Sequence, residues 1–249
     1  MIDGLDLYWA FAVCFGIATF GFLGWTLQQP TRRRRYGFAI TLACFAMAVA
    51  NALMANEIPT RTTADGVAYP HARFLGYFVA YGPVAWLIGR VAGASTEMTG
   101  LLILVVYGLP ASVLASWNLS GGAATIASVL VFVCIVATVA LLVGPVSRAT
   151  HEVSGERRLL YGKLRNISVL IWAVLPIVGV LSEQNLAILT SFAGIFLGSY
   201  LDLLLLVGVG LLTFRSPTAL DHVAGRTGRS GDDGTADSPT VGPGAPTDD

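Results

Sequence analysis

Charge is what this chain has least of. Of its 249 residues only 12% are charged, 15 basic and 15 acidic, while 55% are hydrophobic, and the mean hydropathy is +0.70. A soluble globular domain carries about twice that share of charge, so a water-soluble fold is excluded and a membrane protein is indicated. The formal net charge of +0 offers no basic surface for nucleic acid. Lysine is almost missing, with Lys163 the only one. The three cysteines, Cys14, Cys44 and Cys134, all fall in apolar stretches, where a free thiol serves as a small hydrophobe, so neither a disulfide nor a metal site is inferred from them. His71, His151 and His222 are too widely spaced to suggest a ligand set. No HExxH, GxSxG, Walker loop or GxGxxG is present, and nothing supports an enzyme.

What is present is length in hydrocarbon. Apolar runs cover residues 8–28, 36–56, 71–93, 98–117, 122–145, 165–182 and 185–214, each long enough to cross a bilayer core of about 30 Å. These predict an all-α bundle of seven transmembrane helices, with short connections that make sequential helices antiparallel neighbours. Basic residues set the orientation. Arg32 to Arg35 occupy the first loop, Arg148, Arg157, Arg158, Lys163 and Arg165 the fifth, and Arg215 follows the last span. The other side holds Asp3, Asp6, Glu57, Asp65 and Glu183 against Arg61, with Arg73 just inside the third span. The N-terminus is therefore placed outside and the C-terminus inside, in a multi-pass protein of the cell membrane. The acidic start lacks a basic n-region, so the first run is expected to be a span that stays in the mature chain. The membrane domain is expected to occupy 1–216. From 217 to 249 the chain turns to Gly, Pro, Ser, Thr and Asp, which predicts a disordered acidic cytoplasmic tail.

Four features inside the spans call for explanation. Asp202 lies within the last apolar run, at a cost of about 2.5 to 3.5 kcal/mol on insertion scales. Arg73 sits one turn from Gly76 and Tyr77 in "HARFLGYFVAYGP". Trp172 and Pro176 share a helix face in "KLRNISVLIWAVLP". Pro83 and Pro176 are kinks of a kind that membrane helices tolerate.

In order along the chain, "AR" at 72–73, "KLRN...V..W...P" at 163–176 and "LD" followed by "VG.G" and "RS" at 201–216 resemble the microbial (type I) rhodopsins, and the bacteriorhodopsin-like haloarchaeal opsins in particular. The resemblance covers roughly residues 8–216. It implies a lysine one turn after Asp202, carrying retinal as a protonated Schiff base, and that position is Leu206. Covalent retinal therefore has no amine here. The resemblance likewise places the lost counterion at Gly76, three residues after Arg73. It puts the cytoplasmic proton donor near Leu87 or Ile88, and it leaves Leu175, Gly179, Ile126 and Ala127 where pocket aromatics stand. Glu183 is a single carboxylate where pumps commonly have a pair. A light-driven pump is not implied.

With lysine and counterion both gone, the implied site keeps Arg73 and Asp202 as a residual neutral pair. The alternative, that Asp202 is satisfied by water or backbone and does not meet Arg73, stays open. Tyr77, Trp172 and Pro176 remain as a vestigial pocket lining. The first functional reading is a regulatory or interaction role in the membrane, with a membrane-protein or carotenoid-pathway partner or a second copy of the chain. The alternative is a non-covalent binder of retinal, a carotenoid or lipid, including a light sensor, in which Phe78 joins Tyr77, Trp172 and Pro176. An ion or solute pathway is weakened because the spans offer just one clear acid and one clear base.

Overall fold

The computed structural model describes residues 4–58, 60–62, 68–182 and 188–225. Its helices are α1 (Gly4–Gln28), α2 (Thr31–Ala55), α3 (His71–Ala92), α4 (Thr96–Asn118), α5 (Gly121–Val143), α6 (Pro145–Ala149), α7 (Gly155–Leu181), α8 (Ser191–Phe214) and α9 (Pro217–Gly225). All except α6 and α9 are long and apolar enough to cross a membrane. The sixth and seventh spans are thus α7 and α8. Sequential spans pack side by side, and the bundle closes where α8 meets α1, with α7 also against α3.

Several spans begin before their apolar runs, α2 and α7 by the most. The first turn of α2 contains Arg32 to Arg35, and α7 opens with "GERRLLYGK". Both extend past the hydrocarbon into the polar interface, where hydropathy no longer marks a helix but backbone bonding continues. By contrast, α8 starts only at Ser191, where the Thr190 hydroxyl accepts from the Ala193 N–H. Glu183 and residues 185–187, to which the sequence reading extended that span, lie outside the described residues.

Between α2 and α3, strands β1 (Thr60–Thr62) and β2 (Ala68–Pro70) pair antiparallel with Arg61 opposite Tyr69. The buried Tyr69 hydroxyl exchanges hydrogen bonds with the Asn118 amide at the outer end of α4, at 2.7 and 3.0 Å.

Helices in lipid gain little from hiding apolar surface, so close packing and local satisfaction of polar groups decide the contacts. A Cβ on Gly210 would stand 2.4 Å from Phe22 Cζ, and one on Gly89 2.6 Å from Thr99 Oγ1, which shows how near α8 comes to α1 and α3 to α4. Thr19, Thr26, Thr41 and Thr213 donate to the carbonyl one turn back, whereas the buried hydroxyls of Thr138 and Ser168 have no hydrogen-bond partner. Ile17, Phe20, Leu104 and Val136 are exposed on the outside of the bundle, as residues facing acyl chains should be. Inside, Phe15, Tyr36, Ile40, Met47, Leu102 and Leu164 are fully buried.

At the inner end, α3 stops at Gly93 in a left-handed conformation (φ 78°), and Arg157 of α7 donates to the carbonyls of Arg90 at 2.8 Å and Val91 at 3.1 Å. The boundary drawn at 217 needs correction. Residues 217–225 form α9, with Ala219, Leu220 and Val223 buried against the bundle and Asp221 ion-paired to Arg33. The short apolar face of "PTALDHVAG" was diluted by the Gly- and Asp-rich composition after it. Residues 226–249 lie outside the described residues.

Candidate functional site

One polar cluster of the bundle interior forms where side chains of α3 reach α8. Tyr77 and Tyr81, four apart and therefore on one face of α3, stack with ring centroids 4.8 Å apart. Both turn their hydroxyls to α8. Tyr77 donates to Asp202 Oδ2 at 2.9 Å and Tyr81 to Oδ1 at 3.3 Å. Asp202 is 1% exposed, and each of its oxygens accepts from one phenol.

Arg73, one turn outward on α3, donates from Nη2 to Ser199 Oγ at 2.6 Å. Its guanidinium lies 5.9 Å from the centre of the Tyr8 ring, and its buried Nε has no hydrogen-bond partner. No ion pair within 4.0 Å joins Arg73 to Asp202. Both charges of the expected neutral pair share the region without direct contact: tyrosine hydroxyls hold the acid and a serine holds the base. The open alternative is met in part, since Asp202 is satisfied apart from Arg73, though by side chains.

Gly76 also departs from expectation. A Cβ there would meet Ala50 Cβ at 2.8 Å and Met47 Sδ at 3.0 Å, so this position faces α2. Counting three residues from Arg73 leads to the α2 contact, and the α3 position that turns to Asp202 is Tyr77. Phe78 likewise points elsewhere, its ring 5.8 Å from Tyr107 on α4. Ile126 is exposed toward lipid, Ala127 is buried, and Leu87 and Ile88 are fully buried among apolar side chains.

Beside the cluster lies a cavity of about 440 Å³. It runs from Glu57, Ser182 and Thr190 at the outer helix ends inward to Tyr81 and Trp172. Tyr77, Trp172 and Pro176 line it, together with Leu175, Gly179 and Arg73. Trp172 is 2% exposed, its ring 5.9 Å from that of Tyr81, and its buried Nε1 has no partner. Leu206, one turn inward of Asp202, is 1% exposed and packed in the apolar core.

Tyr81, Ser199, Tyr8 and Trp117 were not singled out from the sequence. Tyr81 carried a usable signal, because it repeats Tyr77 at a spacing of four. Ser199, three residues before Asp202, carried a weaker one. Tyr8 and Trp117 reach the site only through the packing of α1 and α4, which leaves no local mark.

Residues 5–220 match the family model described as Bacteriorhodopsin-like protein. The chain is 24% identical to Sensory rhodopsin-2 of Natronomonas pharaonis over 220 residues, which are 88% of this chain and 92% of that one. It is 26% identical to Bacteriorhodopsin-II of Haloarcula marismortui over 219 residues, covering 81% and 82%. Among solved structures, a thermophilic rhodopsin from Rubrobacter xylanophilus aligns with a TM-score of 0.84 at 18% identity, covering 90% of this chain and all of that one.

Proposed function

The chain belongs to the bacteriorhodopsin-like family of seven-helix membrane proteins, and from that premise we propose that it is a non-pumping member that holds a small apolar or amphipathic ligand without a covalent bond. The observation that carries this reading is the cavity of about 440 Å³ beside Asp202, a size suited to one ligand. A retinal Schiff base does not fit the residues around it. Leu206 offers only hydrocarbon, and Lys163 is exposed on α7 nine residues inward of Trp172, about 14 Å along the helix. Proton pumping lacks its parts as well, since the α3 positions facing Asp202 are phenols and Leu87 and Ile88 are apolar. The protein works in the cell membrane, where the ligand-filled state signals to a membrane partner. The name of the sensory relative supports that second step.

The test is to purify the protein from its native membrane, record its absorption and extract it with organic solvent. A stoichiometric small molecule should be released by solvent alone, and its amount should fall in Gly179→Trp, which fills the cavity from a glycine with open space beside it. A ligand left attached to a peptide, or a chain that carries none, would sink the reading.

A further inference from the structure

Resting on that reading of the cavity, we infer that its ligand is an apolar monocarboxylic acid of the fatty-acid or polyene-acid class, with its carboxylate received by Arg73. The guanidinium has donors to spare. Nη2 is spent on Ser199, but the buried Nε has no partner, and no carboxylate lies within 4.0 Å of Arg73 among the described residues. Asp202 does not meet this need, because it lies beyond 4.0 Å and offers the guanidinium no acceptor within reach. A buried guanidinium N–H without an acceptor is costly, and a carboxylate is the acceptor that matches its fork of donors.

The rest of the cavity selects the tail. From Arg73 it continues between Phe74, Trp117, Pro110, Val131 and Phe132, which offer hydrocarbon and ring faces. Its mouth at the outer helix ends lets an amphipathic acid enter from the outer leaflet. A neutral alcohol, aldehyde or ester would fill the same space and offer the guanidinium only the weaker acceptor of an uncharged oxygen.

The probe is cis-parinaric acid, whose polyene accepts energy from tryptophan, with Trp117 and Trp172 in the cavity wall as donors. The full chain in nanodiscs is titrated with the acid and with its methyl ester, for the native protein and for Arg73→Gln and Arg73→Lys. Saturable transfer should be at least about tenfold tighter for the acid than for the ester. That preference should vanish in Arg73→Gln and return in part in Arg73→Lys. The acid–ester comparison in the native protein stands even where Arg73→Gln does not fold. Equal, saturable binding of acid and ester overturns the carboxylate assignment and leaves the ligand-binding reading intact. A preference for acid that survives Arg73→Gln overturns the role of Arg73. Failure of both probes to bind removes this inference together with the reading on which it rests.

Discussion

The Tyr77 hydroxyl reaches the Asp202 carboxylate across the α3–α8 contact at 2.9 Å, and this hydrogen bond, rather than an ion pair to Arg73, ties the buried acid to the bundle. A hydrogen bond to a charged group contributes about 1.5 to 3 kcal/mol, and losing it leaves a carboxylate oxygen bare where water is scarce. Tyr77→Phe and Asp202→Asn should each lower stability in mild detergent. Their double-mutant cycle should show a coupling of about 1 to 3 kcal/mol. The matching cycle for Arg73→Gln with Asp202→Asn should show less, because those two side chains interact only through space. Equal coupling in both cycles would mean that charge, not the phenol, holds Asp202.

Retinal chemistry provides a second prediction. Adding all-trans retinal and then borohydride to the native protein should leave no retinyl group on any α8 peptide, because Leu206 has no amine. Restoring the amine requires a counterion on the correct face. Leu206→Lys with Tyr77→Asp places a carboxylate toward α8 and should give a reducible adduct. Leu206→Lys with Gly76→Asp should instead fold poorly, since the new side chain runs into Ala50 at 2.8 Å. An adduct from the Gly76 variant and none from the Tyr77 variant would reverse the facing assigned to these positions.

A third prediction concerns α9. The hydrogen bond from Arg33, with its nearby charge, holds the Asp221 carboxyl below the usual carboxylate range. Because the folded value is the lower one, the docking it supports is complete above the ordinary carboxylate value and is lost as pH falls through the lowered one. A spin label on α9 should stay immobile from neutral pH to about pH 5 and loosen below about pH 4. Arg33→Gln should loosen it at neutral pH. Using a His222→Asn background keeps the imidazole, 3.8 Å from Glu156, from adding its own charge. A label equally immobile with and without Arg33 would show that Leu220 and Val223 hold α9 alone.

The spans were legible because about twenty apolar residues in a row have few other fates, and the family was legible because its marks lie in order along three of them. Facing was harder to read. Gly76 and Tyr77 are neighbours in sequence, yet one packs on Ala50 and the other on Asp202, and a shift of one residue turns a helix by about 100°. The partners of Arg73 and Asp202 were hidden for a related reason. Which hydroxyl satisfies a buried charge depends on how α3 and α8 are rotated against each other, a property of the packed pair rather than of either segment. The start of α9 was lost to averaging, since an amphipathic helix of 9 residues weighs little in a window rich in Gly and Asp.

The Arg157 clamp gives α7 unequal ends. Its guanidinium grips two carbonyls of the last turn of α3, so the inner end of α7 is fixed like the root of a cantilever. Farther out, Pro176 has no N–H to return to the Trp172 carbonyl, and one rung of the ladder is missing at that level. Bending compliance is therefore concentrated beyond Trp172, in the segment from Pro176 to Leu181 that borders the mouth of the cavity, whose tip is tied only where the Ile188 and Leu189 N–H groups donate to the Leu181 carbonyl. A load applied in the cavity deflects the outer tip first, while the root passes its strain straight to α3.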